Sequence, residues 1–171
     1  MTHPTLSNVV TRVPPVAGSS KPRRVRLEKL SEAEGAAWGG FLRAHARLTE
    51  RLSAELEAEH RLSLREYDVL RQVATAPDAP VRMAALAERV MLSRPGLTGV
   101  AKRLEALGLI ERAPTPEDAR GACVDITGEG WRRLRAAHRT HLRSIRKLFT
   151  EPLTEAELDQ LGRAWQKLRD T

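Results

Sequence analysis

A single cysteine, Cys123, among 171 residues excludes an internal disulfide and any multi-cysteine zinc or iron–sulfur centre. A reducing compartment, the cytoplasm, is the expectation. Aromatic residues are equally scarce, with three Trp, two Phe and one Tyr, so the core has to be built mostly from Leu, Val and Ala packed between helices. No apolar stretch approaches the roughly 18–20 residues that cross a bilayer, and the first residues lack the continuous apolar segment of a secretory signal. A soluble protein with no membrane partner is expected. Also missing are a Gly-rich phosphate loop, a His-Glu-x-x-His pair and a nucleophile elbow. The chain therefore reads as a non-enzyme with no catalytic residues, no cofactor and no dedicated metal site. Its length excludes a long multidomain enzyme and suffices for one core with an appended element.

Basic charge is what the chain has in excess. Lysine and arginine total 29 against 22 acids, a net charge of +7, and such a field attracts polyanions, nucleic acid foremost. Arginine outnumbers lysine 24 to 5, an imbalance read as the base composition of a GC-rich genome. Residues 1–30 hold four prolines and close on Lys21, Arg23, Arg24, Arg26 and Lys29. They read as a disordered basic arm, either a solubilising tail or one that reaches a phosphate backbone.

From Ser31 the pattern becomes helical. Ser31-Glu32-Ala33-Glu34 is a capping box, after which Trp38, Phe41, Leu42, His45, Leu48, Leu52 and Leu56 recur at spacings of three and four. A helix that long carries more apolar stripe than its own small domain covers, so a second helix or a second subunit is implied. A second capping box at Ser63–Glu66 opens a helix with Leu64, Tyr67, Leu70 and Val73, which ends at the turn Pro77–Pro80. Thr127 caps a further helix bearing Trp131, Leu134, His138, Leu142, Ile145 and Phe149, and a third box at Thr154–Glu157 starts a last helix with Leu158, Leu161, Trp165 and Leu168.

Between them, Met83–Val90 and Ser93–Leu107 are two short helices separated by Met91 and Leu92, a helix–turn–helix spacing. In the second, Ser93 is the N-cap and Pro95 fits the first turn. Leu97, Val100, Leu104 and Leu107 face inward, which leaves Arg94, Thr98, Gly99, Lys102 and Arg103 outside. Gly108 stops the helix. Leu109–Arg112 and Cys123–Ile126 then read as two strands joined by a proline-containing loop, Ala113–Arg120. Helix, helix, glycine stop, strand, loop, strand and capped helix is the order of a winged helix–turn–helix, whose second helix has the dimensions to enter a DNA major groove.

Leu92–Leu109, followed by Asp118-Ala119-Arg120 and Val124-Asp125-Ile126-Thr127, resembles the MarR family of bacterial transcriptional regulators over roughly residues 31–169. Ala119 stands where many relatives carry a further arginine. The resemblance implies a mostly α fold: a winged helix–turn–helix lobe with a two-stranded β-wing over 63–126, and a helical dimerisation body over 31–62 and 127–171. It implies a homodimer on a pseudo-palindromic operator in double-stranded DNA, with repression as the default. Ser93, Thr98, Lys102 and Arg103 would hold phosphates while Arg94 or Thr98 touches base edges, with Pro95 and Gly99 on the same face. Arg120 would reach the minor groove, oriented by Asp118.

Relatives take aromatic or phenolic effectors between body and lobe, and Trp38, Leu42, His45, Tyr67 and Asp68 are the residues here that mix apolar walls with polar groups. Plain core packing is the competing role for Trp38 and Leu42. His138 and His141 lie three apart on one helix, where they could share a face with His45 or His60 in a metal-responsive regulator. Residues 82–126 hold seven basic and six acidic residues, a net of +1, which leaves open a winged-helix dimer that binds a ligand or partner without specific DNA binding. Residues 127–149 carry seven Arg or Lys against Glu129 alone, a solvated helix face in the dimer body. Cys123 reads as an ordinary strand residue.

Overall fold

A computed structural model describes residues 28–77, 79–115 and 118–169, with side chains at 113–115 and 118–121 outside the description. The expected basic arm falls outside the described residues up to position 27.

Helix α1 runs from Glu32 to His60. The Glu34 carboxylate accepts the Ser31 N–H at 2.7 Å while Ser31 Oγ accepts the Glu34 N–H at 3.3 Å, which satisfies two N–H groups that a helix start leaves unpaired. Arg61 turns left-handed at φ 57° and the Ser63 box begins α2, Leu64–Ala74, whose first N–H is tied back to Ser53 of α1 at 3.1 Å. A two-residue strand, β1 (Val81–Arg82), leads into α3 (Met83–Arg89) and α4 (Arg94–Ala106). Gly108, at φ 68°, ends that segment in a conformation that favours glycine. Strands β2 (Ile110–Thr115) and β3 (Asp118–Ile126) form the wing. Helix α5 (Gly128–Ile145) continues into a π-helical turn, Arg146–Thr150, and α6 (Glu155–Arg169) closes the chain behind the Thr154 box.

The sheet has the order β1-β3-β2, all antiparallel, with Val81 opposite Val124 and Ile110 opposite Ile126. The two-stranded wing is as expected, and a third strand, β1, joins its sheet beside β3, unmarked in the sequence because a two-residue strand carries no periodicity to detect. One expectation for this sheet is corrected. Its two long strands extend into the segment assigned to a loop, with Pro114 paired across from Ala122.

Leu56, Leu62, Tyr67, Leu70, Leu86, Leu97, Leu104, Leu109 and Val124 form one core, each large side chain contributing about 1.5–3 kcal/mol on burial. It sits where α2 is packed between α1 and α5 on one side and α3, α4 and β3 on the other. Helix α5 corrects a further expectation. Its buried face consists of Leu134, Ala137, Thr140 and Ser144, while Trp131 and Leu142 of the expected stripe remain exposed. The hydroxyls explain why: Thr140 donates to Glu59 at 2.8 Å and Ser144 donates to Glu55, so α1 and α5 are joined by carboxylate–hydroxyl bonds as well as by apolar contact.

Candidate nucleic-acid interface

Helix α4 has one face in the core and one in solvent. Leu97, Ala101 and Leu104 are buried, and Arg94, Pro95, Gly99 and Lys102 are exposed, with Thr98 half-buried. Val100 packs half-buried against the core as expected, and Ala101 beside it is fully buried; alanine gives little hydrophobic signal and is easily missed. Ser93 Oγ accepts the Gly96 N–H at 3.3 Å, and Pro95, without an N–H, occupies the first turn at no hydrogen-bond cost. Thr98 Oγ1 donates to the Arg94 carbonyl at 2.9 Å. The result is a capped helix start with Arg94 beside its positive dipole end.

Arg103 is turned differently. Its Nε lies 2.5 Å from Glu66 and its Nη2 3.7 Å from Glu57, so the guanidinium points back toward α2 and α1. Asp118 and Arg120 fall on β3, at and near the wing tip by backbone register; their side chains lie outside the described residues.

The five residues assigned to an effector fall in two places. Trp38 and Leu42 are exposed on α1, and Phe41 links Trp38 (centroids 5.8 Å), His45 (6.0 Å) and Trp165 of α6 (5.4 Å) into an aromatic row. Tyr67 is buried on α2, its hydroxyl 2.7 Å from His138 Nδ1 and its ring 4.6 Å from that of His141, while Asp68 pairs with Arg71 at 2.8 Å. Burial pushes the Tyr67 phenol up. A separate open groove of about 430 Å³ runs between the end of α1 and the first turns of α5, lined by Glu59, His60, Arg61, Glu129, Arg132 and Arg133. No sequence motif marks it, since its walls are 68 or more residues apart.

The histidines have other engagements than a metal. His138 faces Tyr67, His60 Nε2 lies 2.9 Å from Thr140 Oγ1, and the His45 ring lies tilted beside Phe41. Among the described residues no group of three His, Cys, Asp or Glu is placed to hold a metal ion. Cys123 is buried on β3, opposite Ala113 and Arg82.

Desolvation holds both His141 and His60 below the ordinary 6.5, with the nearby His138 and Arg71 adding to the effect at His141. A histidine whose folded pKa is depressed contributes its full stability above 6.5. Below that value the unfolded chain takes up the proton first, and stability falls. Depressed carboxylates such as Glu59 act lower, their contribution lost only as pH falls below the ordinary 4.5. The melting temperature is therefore expected to drop between pH 7.5 and 5.5, with a smaller drop in His141→Asn; equal drops in both proteins would assign the effect elsewhere.

Residues 61–121, the end of α1 through the wing, match the MarR family. The chain is 27% identical over 124 residues to the HTH-type transcriptional regulator PecS of Dickeya dadantii, covering 71% of this chain and 74% of that protein. Its fold superposes on AbsC, a MarR family transcriptional regulator from Streptomyces coelicolor, with a TM-score of 0.76 and 26% identity over 84% of this chain and 97% of the other. Sco3205, a MarR family regulator from the same organism solved in complex with DNA, gives a TM-score of 0.77 and 26% identity over 83% and 92% of the two chains. With its capped α4, two-stranded wing and flanking long helices, the chain carries a MarR-family segment over residues 61–121 and has the winged helix–turn–helix fold of MarR family transcriptional regulators.

Proposed function

We propose that the protein is a cytoplasmic, homodimeric repressor that binds a pseudo-palindromic operator through α4 and the wing, and that a small aromatic effector modulates this affinity. The outer face of α4 carries the reading: Arg94, Pro95, Gly99 and Lys102 project from a helix whose opposite side is locked in the core. Ser93, Arg94 and Lys102 serve phosphates, Arg94 and Thr98 serve base edges, and Arg120, oriented by Asp118, serves the minor groove. Two recognition helices roughly 34–36 Å apart meet successive major grooves. The exposed row Trp38, Phe41, Trp165 and Leu168 supplies the surface that a second copy covers.

The effector reading rests on α2. This helix carries Tyr67 and Asp68 and packs against body and lobe alike, so a ligand bound at Tyr67 and Asp68 would bias how far apart the recognition helices stand. A ligand that leaves operator affinity unchanged at saturation is not the effector. Among the described residues no helix is long and apolar enough to cross a membrane.

Fluorescence anisotropy on the DNA upstream of the protein's own gene, with a scrambled duplex as control and a salt series, tests the reading. Log affinity should fall with log salt by about 0.9 per neutralised phosphate. Lys102→Ala should weaken both duplexes alike and lower the slope by about one phosphate's worth. Binding without salt dependence or sequence preference would leave the near-neutral lobe as a partner- or ligand-binding module.

A further inference from the structure

We propose that Arg103 is a positioning residue, which with Glu66 fixes the rotation of α4 on the lobe and so sets sequence discrimination without touching DNA. This rests on the DNA-binding reading above and deepens it.

The Glu66 side chain is only 6% exposed, and both of its carboxylate oxygens are engaged. One oxygen accepts the Ser63 N–H at 2.8 Å and the Ser63 hydroxyl at 2.9 Å, closing the capping box of α2. The other faces Arg103 Nε at 2.5 Å. Glu57 of α1, 3.7 Å from the same guanidinium, adds a second and more exposed carboxylate. Three helices thus meet at one cation, and that cation rides on the recognition helix.

Apart from a longer ion pair from Glu105 to Arg112 of β2 at 3.7 Å, the α4 seat is apolar. Leu97, Ala101 and Leu104, with Val100 and Leu107 packed beside them, hold the helix by contact that is strong but non-directional. A charge-assisted hydrogen bond at this distance is directional. It also sits nine residues beyond Arg94 along the same rigid helix, so a rotation that breaks it moves the DNA-facing residues too. Base-edge contacts are lost by small misplacement, whereas phosphate contacts by long side chains tolerate it.

A phosphate ligand and a positioning residue predict opposite results from the partner side of the pair. Glu66→Gln keeps an acceptor suited to the capping box, cannot reach DNA, and releases Arg103. If Arg103 positions α4, Glu66→Gln and Arg103→Ala should each lower operator affinity about tenfold while leaving scrambled-duplex affinity and the salt slope as in wild type, since one mis-set base pair contact is worth that much. The double variant should lose no more than Arg103→Ala alone. Hydrogen exchange of the free proteins supplies a readout that needs no DNA: amides of α4 should exchange faster in both variants and those of α5 should not. Operator affinity unchanged or raised in Glu66→Gln, with a reduced salt slope in Arg103→Ala, would overturn the proposal by making Arg103 a phosphate ligand. Unchanged α4 exchange would overturn it independently. Should wild type show no operator preference, the DNA-binding reading fails, and the exchange result alone still decides whether the pair holds α4.

Discussion

Gly130→Ala is expected to cost on the order of 3 kcal/mol or more, because the junction it occupies has no room for a methyl group. A Cβ built there meets the Leu109 carbonyl oxygen at 2.0 Å and the Ile126 side chain at 2.7 Å. Backbone cannot swing aside as a flexible side chain can. The same carbonyl accepts the Thr127 N–H at 3.1 Å, and Thr127 Oγ1 donates to the Gly108 carbonyl at 2.7 Å while capping α5 at Gly130. The end of the recognition segment and the start of α5 are thus bolted within one turn, and the added methyl would have to part them. For a chain of this length a loss of that size lowers the melting temperature by roughly 10 °C. Gly99 provides the contrast, since nothing lies within 4 Å of a Cβ built there. Gly99→Ala should stabilise the fold by about 0.5–1 kcal/mol. Equal melting of Gly130→Ala and wild type would mean that the junction opens freely.

The double variant Phe41→Asp, Trp165→Asp should be monomeric and lose operator affinity by roughly 10²–10⁴. None of the residues of α6 is buried within the chain, and a 15-residue helix of this kind is marginal on its own. Trp165, 40% exposed, lies against Phe41 of α1, and Leu168 on the same helix is 64% exposed. Carboxylates placed in that surface would have to be desolvated or left to repel each other across the two-fold axis of the proposed dimer. A monomer still presents one α4, so phosphate contacts per lobe persist, but the second half-site becomes an independent binding event. Light scattering gives the mass and anisotropy the affinity; a dimer with intact operator binding would place the interface elsewhere.

Local chemistry was legible in the residues. All three capping boxes, the Ser93 and Thr127 caps and the Gly108 stop are short-range bonding patterns, and each is where its residue types predict. The excess stripe of α1 was equally plain, and Trp38, Phe41 and Leu42 remain exposed even though α6 packs against Phe41. What stayed hidden depends on pairs distant in sequence. Tyr67 meets His138 across 71 positions, and Arg103 meets Glu66 across three helices, so a surface arginine on a basic helix face carried no mark of its inward partner. The α5 face was misjudged for a related reason: Thr140 and Ser144 count as polar until the carboxylates of α1 that bind them are known.

The sheet order β1-β3-β2 places β2 at the rim, with one row of backbone groups unpaired within the sheet. Such a rim invites another chain to add a strand. Pro114 in β2 has no N–H to offer, and Glu111 and Arg112 bring charge to the same strand. The wing can therefore stand out from the lobe as a bare ribbon without becoming a template for aggregation.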